Sequence, residues 1–219
     1  MTTIAILPVK SFHEAKRRLA EDMTPGERRV LAEAMFSDVL VALRRARSIT
    51  SVLVVTADAG AQQIAGGYGA EVIDDDDRGH NLAAQRGIAR ALDLGLSRAL
   101  LVPGDCPLID PDEIDGLISG APDPRSALIV PDRHGMGTNA LLLSPPDALA
   151  PSFGPGSCQR HHEATKSDGT VGEVVHVSSL ALDIDTPEDL DALRGALAER
   201  HGGAAHTRGM LRQLGRSRV

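Results

Sequence analysis

Apolar positions in this chain fall into short runs without helical period, each followed by a polar break and then by a stripe that does have one. Thr2-Thr-Ile-Ala-Ile-Leu-Pro-Val opens with such a run, the pattern of a strand buried on both faces. Ser51-Val-Leu-Val-Val-Thr56 and Arg98-Ala-Leu-Leu-Val102 repeat it, and Glu71-Val-Ile73 is a shorter version. Between them, Thr24-Pro-Gly-Glu27 has the form of a capping box with Pro at the first helical position. Leu31, Met35, Val39, Ala42 and Ala46 then make one stripe, which predicts a helix. A short helix over 61–65 is stopped by Gly66-Gly67, another over 81–94 by Gly95, and Asp110-Pro-Asp-Glu113 starts a third. Later strands are predicted at 126–131, 139–143 and 173–177, with helices over 157–166 and 187–199. The alternation predicts an α/β fold, a three-layer sandwich around a mostly parallel sheet. With no internal repeat or linker, residues 1–199 read as one domain.

In open α/β sheets, ligands bind outside the carboxyl ends of the strands. Lys10, Asp58, Asp74 to Asp77, Asp105, Asp183 and Asp185 all fall at such ends. An acid there often caps the next helix, but Asp110 is better placed for that task than Asp105, which Gly104 and Pro107 bracket. Asp183-Ile-Asp185 puts two acids on one face, a pattern suited to magnesium and equally to a helix N-terminus favoured by its dipole. Lys10, Lys16, Arg17 and Arg18 put four cations just after the first strand, where a phosphate-bearing ligand would lie. No G-x-x-x-x-G-K-[ST] phosphate loop is present. Phe153-Gly-Pro-Gly-Ser157 can turn backbone N–H groups toward an anion, and Ser157 begins a helix. His161 and His162 on that helix are read as solvent-exposed.

Charge narrows the ligand class. The chain of 219 residues has a formal charge of −7, yet residues 200–219 carry five Arg and no acid, leaving 18 basic against 30 acidic side chains and −12 for the body. So acidic a body argues against nucleic acid as substrate. The Gly, Ala, Arg-rich segment 200–219 reads as a flexible basic tail. No apolar stretch approaches the roughly 18 residues of a membrane span, and the N-terminus lacks the layout of a secretory signal. A cytoplasmic protein without membrane attachment is expected, with Cys106 and Cys158 as free thiols.

Six motifs occur in order: L-P-V-K-S-F-x-x-A-K-R-R-L (7–19), H-N-L-A-A-Q-R-G (80–87), P-G-D-C-P-L (103–108), G-M-G-T-N-A (135–140), F-G-P-G-S (153–157) and D-I-D-T-P-E-D-L (183–190). Together they resemble the guanylyltransferases of deazaflavin-cofactor biosynthesis, which join GTP to 2-phospho-L-lactate or phosphoenolpyruvate. The resemblance runs from about residue 4 to residue 197 and leaves the tail outside. It implies a nucleotidyltransferase fold of the nucleotide-diphospho-sugar transferase type. It further implies magnesium held by Asp105 and Asp185, with Lys10 and Lys16 facing the GTP phosphates. Lys10, Lys16 and Asp105 would then be the catalytic residues, and Asn81 would join them in the nucleotide pocket. Thr138, Gly154 and Ser157 would hold the phosphorylated acid. A downstream transferase that consumes the unstable product is the implied partner.

Such chemistry needs little from the protein. A phosphate monoester has its second ionisation near pKa ~6, so its oxygen is already nucleophilic at neutral pH without a general base. The candidate acids differ by a methylene, methyl or hydroxymethyl group, worth only about 1–3 kcal/mol in a hydrophobic pocket. Phosphoenolpyruvate is favoured, from resemblance to the actinobacterial branch, with phospholactate and a phosphoglycerate open. Two alternatives keep the scaffold. A sugar-phosphate or molybdopterin nucleotidyltransferase would have a glycine-rich loop after the first strand, whereas no Gly precedes Gly26 here. A non-catalytic nucleotide-binding regulator would usually lack one of the metal acids, and both Asp105 and Asp185 are present.

Overall fold

The computed structural model describes residues 1–76, 79–122, 124–167 and 169–217. Seven strands, β1 (Thr3–Pro8), β2 (Ser51–Thr56), β3 (Glu71–Asp74), β4 (Arg98–Leu101), β5 (Ser126–Pro131), β6 (Thr138–Ser144) and β7 (Val171–Val174), form one sheet in the order β3-β2-β1-β4-β6-β5-β7. The β1–β2, β1–β4, β2–β3 and β5–β7 pairs are parallel. β6 runs antiparallel to both its neighbours. β7 begins and ends earlier than the strand predicted over 173–177.

Helices cover both faces, as a largely parallel sheet requires. Along β1, Ala5 and Leu7 pack under α1 (Pro25–Arg45), α2 (Ala59–Gly67) and α4 (Pro111–Ser119), while Ile4 and Ile6 pack under α3 (His80–Asp93) and α5 (Ser157–Ser167). The alternation is the period of two that a pleated strand imposes. A Cβ at Gly87 of α3 would collide with Cγ2 of Ile6, so that crossing of helix over strand requires glycine. The predicted caps are present, Thr24 and Glu27 making a reciprocal box at α1 and Asp110 capping α4; Thr186 with Asp189 makes a further box at α6 (Pro187–Glu199).

The segment expected to be a flexible tail is a structured helix. α7 (Ala205–Ser217) lies against α1, and its N-terminus is capped by the buried Asp38 of α1, which accepts from the N–H groups of His206 at 3.0 Å and Thr207 at 2.8 Å. Ala204, Met210 and Leu214 are buried in a third core cluster with Leu31, Met35 and the inner residues of α6. Residues 204, 207, 210 and 214 recur at helical spacing, a stripe that the surrounding Gly and Arg residues dilute.

Strand order places the binding crevice. β1 to β3 step one way across the sheet, and the chain then crosses back to lay β4 on the other side of β1. The carboxyl ends of β1 and β4 therefore diverge at a topological switch point, where loops leave room for a ligand. Because β6 runs the opposite way, its first residue, Thr138, reaches the same edge.

Candidate functional site

A cleft of about 820 Å³ opens at that edge. It is bounded by the loop after β1, the loop after β4, the start of β6, the 153–157 loop and Asp183 with Asp185. Lys10 stands exposed at its rim. Asp58 caps α2 and also accepts from Ser11 Oγ at 3.1 Å and Phe12 N–H at 2.9 Å, so this strand-end acid fastens the lysine-bearing loop. Burial would raise its carboxyl, but these hydrogen bonds prevail and hold it below the usual range.

Lys16 is the hinge of the charged end. Its backbone is left-handed, with φ of 57°, uncommon for a residue with a Cβ. Its ammonium donates to Asp105 Oδ2 and to Asp185 Oδ1, the latter at 3.0 Å, with the lysine side chain only 7% exposed. Burial pulls the ammonium down, and the charges and hydrogen bonds of Asp105 and Asp185 outweigh it, holding it above its ordinary range. The two carboxylates predicted to share a metal are thus brought together across 80 residues of sequence. Asp105 Oδ1 is buried without a hydrogen-bond partner. Asp183 turns from the lysine to accept from Asn139 Nδ2 at 3.1 Å, and burial with the Asp105 charge pushes its carboxyl up.

Among the described residues, no group of three or more His, Cys, Asp or Glu is placed to hold a metal. Two convergent carboxylates, one with an open oxygen, are nevertheless the protein share that magnesium takes when phosphates and waters complete its shell. The residues fit the ion on those terms.

The other end is built by the 152–157 loop and α5. Gly154 has φ of +119° and Gly156 of +71°, conformations that glycine adopts at little cost. Arg160 staples the loop by donating to the carbonyls of Pro155 and of Ser152, the second at 2.7 Å. Thr138 and Ser157 meet here, Ser157 Oγ donating to Thr138 Oγ1 at 3.1 Å. The Ser157 N–H donates to the Gly154 carbonyl at 3.0 Å.

Asn81, expected in the nucleotide pocket, instead gives its amide to the loop. Its Oδ1 accepts from Phe153 N–H at 2.7 Å and its Nδ2 donates to the Phe153 carbonyl at 3.2 Å. Of the acidic run, Asp75 and Asp76 pair with Arg86 away from the cleft, and Asp77 lies outside the described residues. His161 is not solvent-exposed: it is fully buried under Thr138 and Phe153, because the fourth residue after Ser157 returns to the same helix face.

Sequence reasoning also missed His80, which lines the cleft, meets the Phe153 ring edge-on at 5.1 Å and lies within reach of the charges of Lys10 and Asp105. Burial, then the Lys10 charge, lower its pKa. Its position at the start of a helix following a strand end was the available signal.

Comparison with known proteins agrees with this architecture. The family profile described as "Guanylyl transferase CofC like" matches residues 3–218, α7 included. A phosphoenolpyruvate guanylyltransferase of Conexibacter woesei is 54% identical, covering 98% of this chain and 97% of its own. A 2-phospho-L-lactate guanylyltransferase of Methanothermobacter thermautotrophicus is 33% identical over 98% of this chain and 92% of its own. A solved structure from Desulfovibrio desulfuricans G20, assigned provisionally to the nucleotide-diphospho-sugar transferases, superposes with a TM-score of 0.78 at 17% identity, over 97% of this chain and 95% of that one. That likeness is one of fold. A cleft at the β1–β4 switch point, a buried lysine between Asp105 after β4 and Asp185 just before α6, and a sequence match over nearly the whole chain lead to one assignment: the chain belongs to the CofC-like guanylyl transferases.

Proposed function

We propose that this protein transfers GMP from GTP to a phosphorylated three-carbon acid, phosphoenolpyruvate in preference, releasing pyrophosphate as a step of deazaflavin-coenzyme biosynthesis. The observation that carries this reading is one cleft with two chemically different ends. Lys10, Lys16, Asp105 and Asp185 form a cation-and-carboxylate end, and Thr138, Gly154 and Ser157 form a hydroxyl-and-glycine end. Two anions must meet in such a reaction, and a cleft that sets Lys10 and Lys16 at one end, with hydroxyls and glycines at the other, is arranged for it. The choice of acid follows the relative at 54% identity. The 2-phospho-L-lactate relative at 33% supports the second reading.

In the transfer, an ionised oxygen of the acceptor phosphate attacks the α-phosphorus of GTP. A phosphorus–oxygen bond forms to the acid as the bond to pyrophosphate breaks, with no protein base required. Lys10 and Lys16 offset the negative charge of the triphosphate. Thr138, the Gly154 backbone and Ser157 orient the acceptor phosphate. Magnesium, held by Asp105 and Asp185, would supply further neutralisation of phosphate charge.

Pyrophosphate release from each of the four nucleoside triphosphates, assayed against phosphoenolpyruvate, 2-phospho-L-lactate, 3-phospho-D-glycerate and glucose 1-phosphate, tests the reading. The expected optimum is GTP with phosphoenolpyruvate. Turnover with glucose 1-phosphate and none with the three acids would replace this reading with a sugar-phosphate one.

A further inference from the structure

Both ring nitrogens of the buried His161 are committed. The backbone N–H of Ser152 donates to Nε2 at 2.8 Å. An N–H donor at that distance defines Nε2 as the unprotonated nitrogen, so the neutral ring carries its proton on Nδ1. Nδ1 in turn meets Thr138 Oγ1 at 3.0 Å and must donate to it. Ser157 Oγ donates to the same oxygen at 3.1 Å. A hydroxyl has two acceptor lone pairs and one proton. With both lone pairs occupied, the Thr138 proton is left to point into the cleft that this residue lines.

We infer that His161 is a positioning residue for the acceptor substrate: its Nδ1–H tautomer, imposed by Ser152, makes the Thr138 hydroxyl an obligate donor to an anion in the cleft. A free hydroxyl could turn and offer a lone pair, which would repel a phosphate or carboxylate. This one cannot. Through Ser152 the same imidazole ties down the entry to the glycine loop, and its edge-on contact with Phe153, at 5.3 Å between ring centroids, fixes the ring plane. Burial, with the Arg160 charge second, lowers its pKa to about 4, so the ring stays neutral at physiological pH. The inference rests on the acid being bound at Thr138, and the experiment separates the two.

KM for the acid, KM for GTP, and kcat are measured in Thr138→Ala, His161→Phe, His161→Asn and the double variant Thr138→Ala with His161→Phe. Thr138→Ala and His161→Phe should each raise the acid KM roughly tenfold, the loss of one hydrogen bond to a charged group, with the GTP KM within about twofold. The double variant should be no worse than Thr138→Ala, because the two act on one proton. His161→Asn, whose amide places a donor near the Nδ1 position, should restore most of the acid affinity. An additive double variant, or a normal acid KM in His161→Phe beside a raised one in Thr138→Ala, overturns the role of His161 and leaves the acid site standing. An unchanged acid KM in Thr138→Ala removes the acid site itself. The wild-type protein supplies a test independent of variant folding: a long-range proton–nitrogen spectrum with labelled histidine should show a neutral Nδ1–H ring for His161, and an Nε2–H ring would overturn the inference.

Discussion

Lys16 pairs with Asp105 and Asp185 at once, and this shared ammonium makes sharp predictions at the scale of residues. Lys16→Ala leaves two carboxylates facing each other. Removing one partner of a buried pair costs about 3–5 kcal/mol, and less here because Asp185 is half exposed. The variant should therefore melt lower than wild type, and added magnesium should recover part of the loss, since a cation that binds only the folded state stabilises it. Wild type without nucleotide should respond far less, its lysine occupying that place. Thermal melts across a magnesium series measure this, and a variant indifferent to magnesium would show that the carboxylates do not hold the ion. Asp105→Asn preserves shape and leaves Lys16 its Asp185 partner, so folding should persist while pyrophosphate release falls by at least about a hundredfold, as for loss of a charge-stabilising group.

At the scale of elements, the 152–157 loop and α5 act as one unit. Gly154→Val puts a β-branched side chain at φ of +119°, a strain of about 1–3 kcal/mol or displacement of the loop. Acid affinity should fall more than in Ser157→Ala while GTP affinity holds; calorimetry with each substrate separately distinguishes this from a general folding defect. The same unit governs part of the pH dependence of stability. His161 titrates near 4 when folded and near its ordinary 6.5 when unfolded, so the unfolded chain binds more protons between those values. Its contribution is fully present above pH 6.5 and is lost as pH falls toward 4, at up to about 1.4 kcal/mol per pH unit. Arg160 on its own helix acts in the same direction. The half-buried His80, separated from it by Phe153, adds a loss of like sign. Denaturant melts from pH 7 to 4.5 should give a shallower decline in His161→Asn than in wild type, and parallel curves would place the titration elsewhere.

At the scale of the molecule, the charged apex is supported from behind by the core that α7 closes. Leu19, Leu108 and Ile184 lie close in sequence to Lys16, Asp105 and Asp185, and all three are buried in the cluster that holds Met210 and Leu214. Deleting residues 204–219 would expose that cluster and uncover Asp38, so the truncated protein should lose both stability and activity, against the small effect that a flexible tail would give. Met210→Ala is the milder form, with a cost of about 2–5 kcal/mol for a buried methionine. Activity measured well below the melting point of each variant tests the coupling: a truncated enzyme with full turnover would make α7 a passive appendage.

Periodicity and caps are properties of neighbouring residues, and these were legible in the chain. The β1 run, the Thr24 box, the Asp110 cap, the α1 stripe and the placement of Asp105 at a strand end follow from side-chain alternation, backbone donors in need of acceptors, and the restrictions that Pro and Gly impose. The amino-acid sequence alone therefore determined the α/β alternation and the set of charged residues on one edge. Tertiary structure decided what each of them touches. Asp105 meets Lys16 because β4 crosses back beside β1, and Asp185 joins them from the segment before α6, relations between parts far apart in the chain. Asn81 turned to Phe153, His161 went inside, and the basic C-terminal segment became a docked helix for the same reason. Burial of each depends on a partner surface supplied by another segment, Phe153 for Asn81, Thr138 and Ser152 for His161, Asp38 for α7, and no local pattern encodes the arrival of that surface.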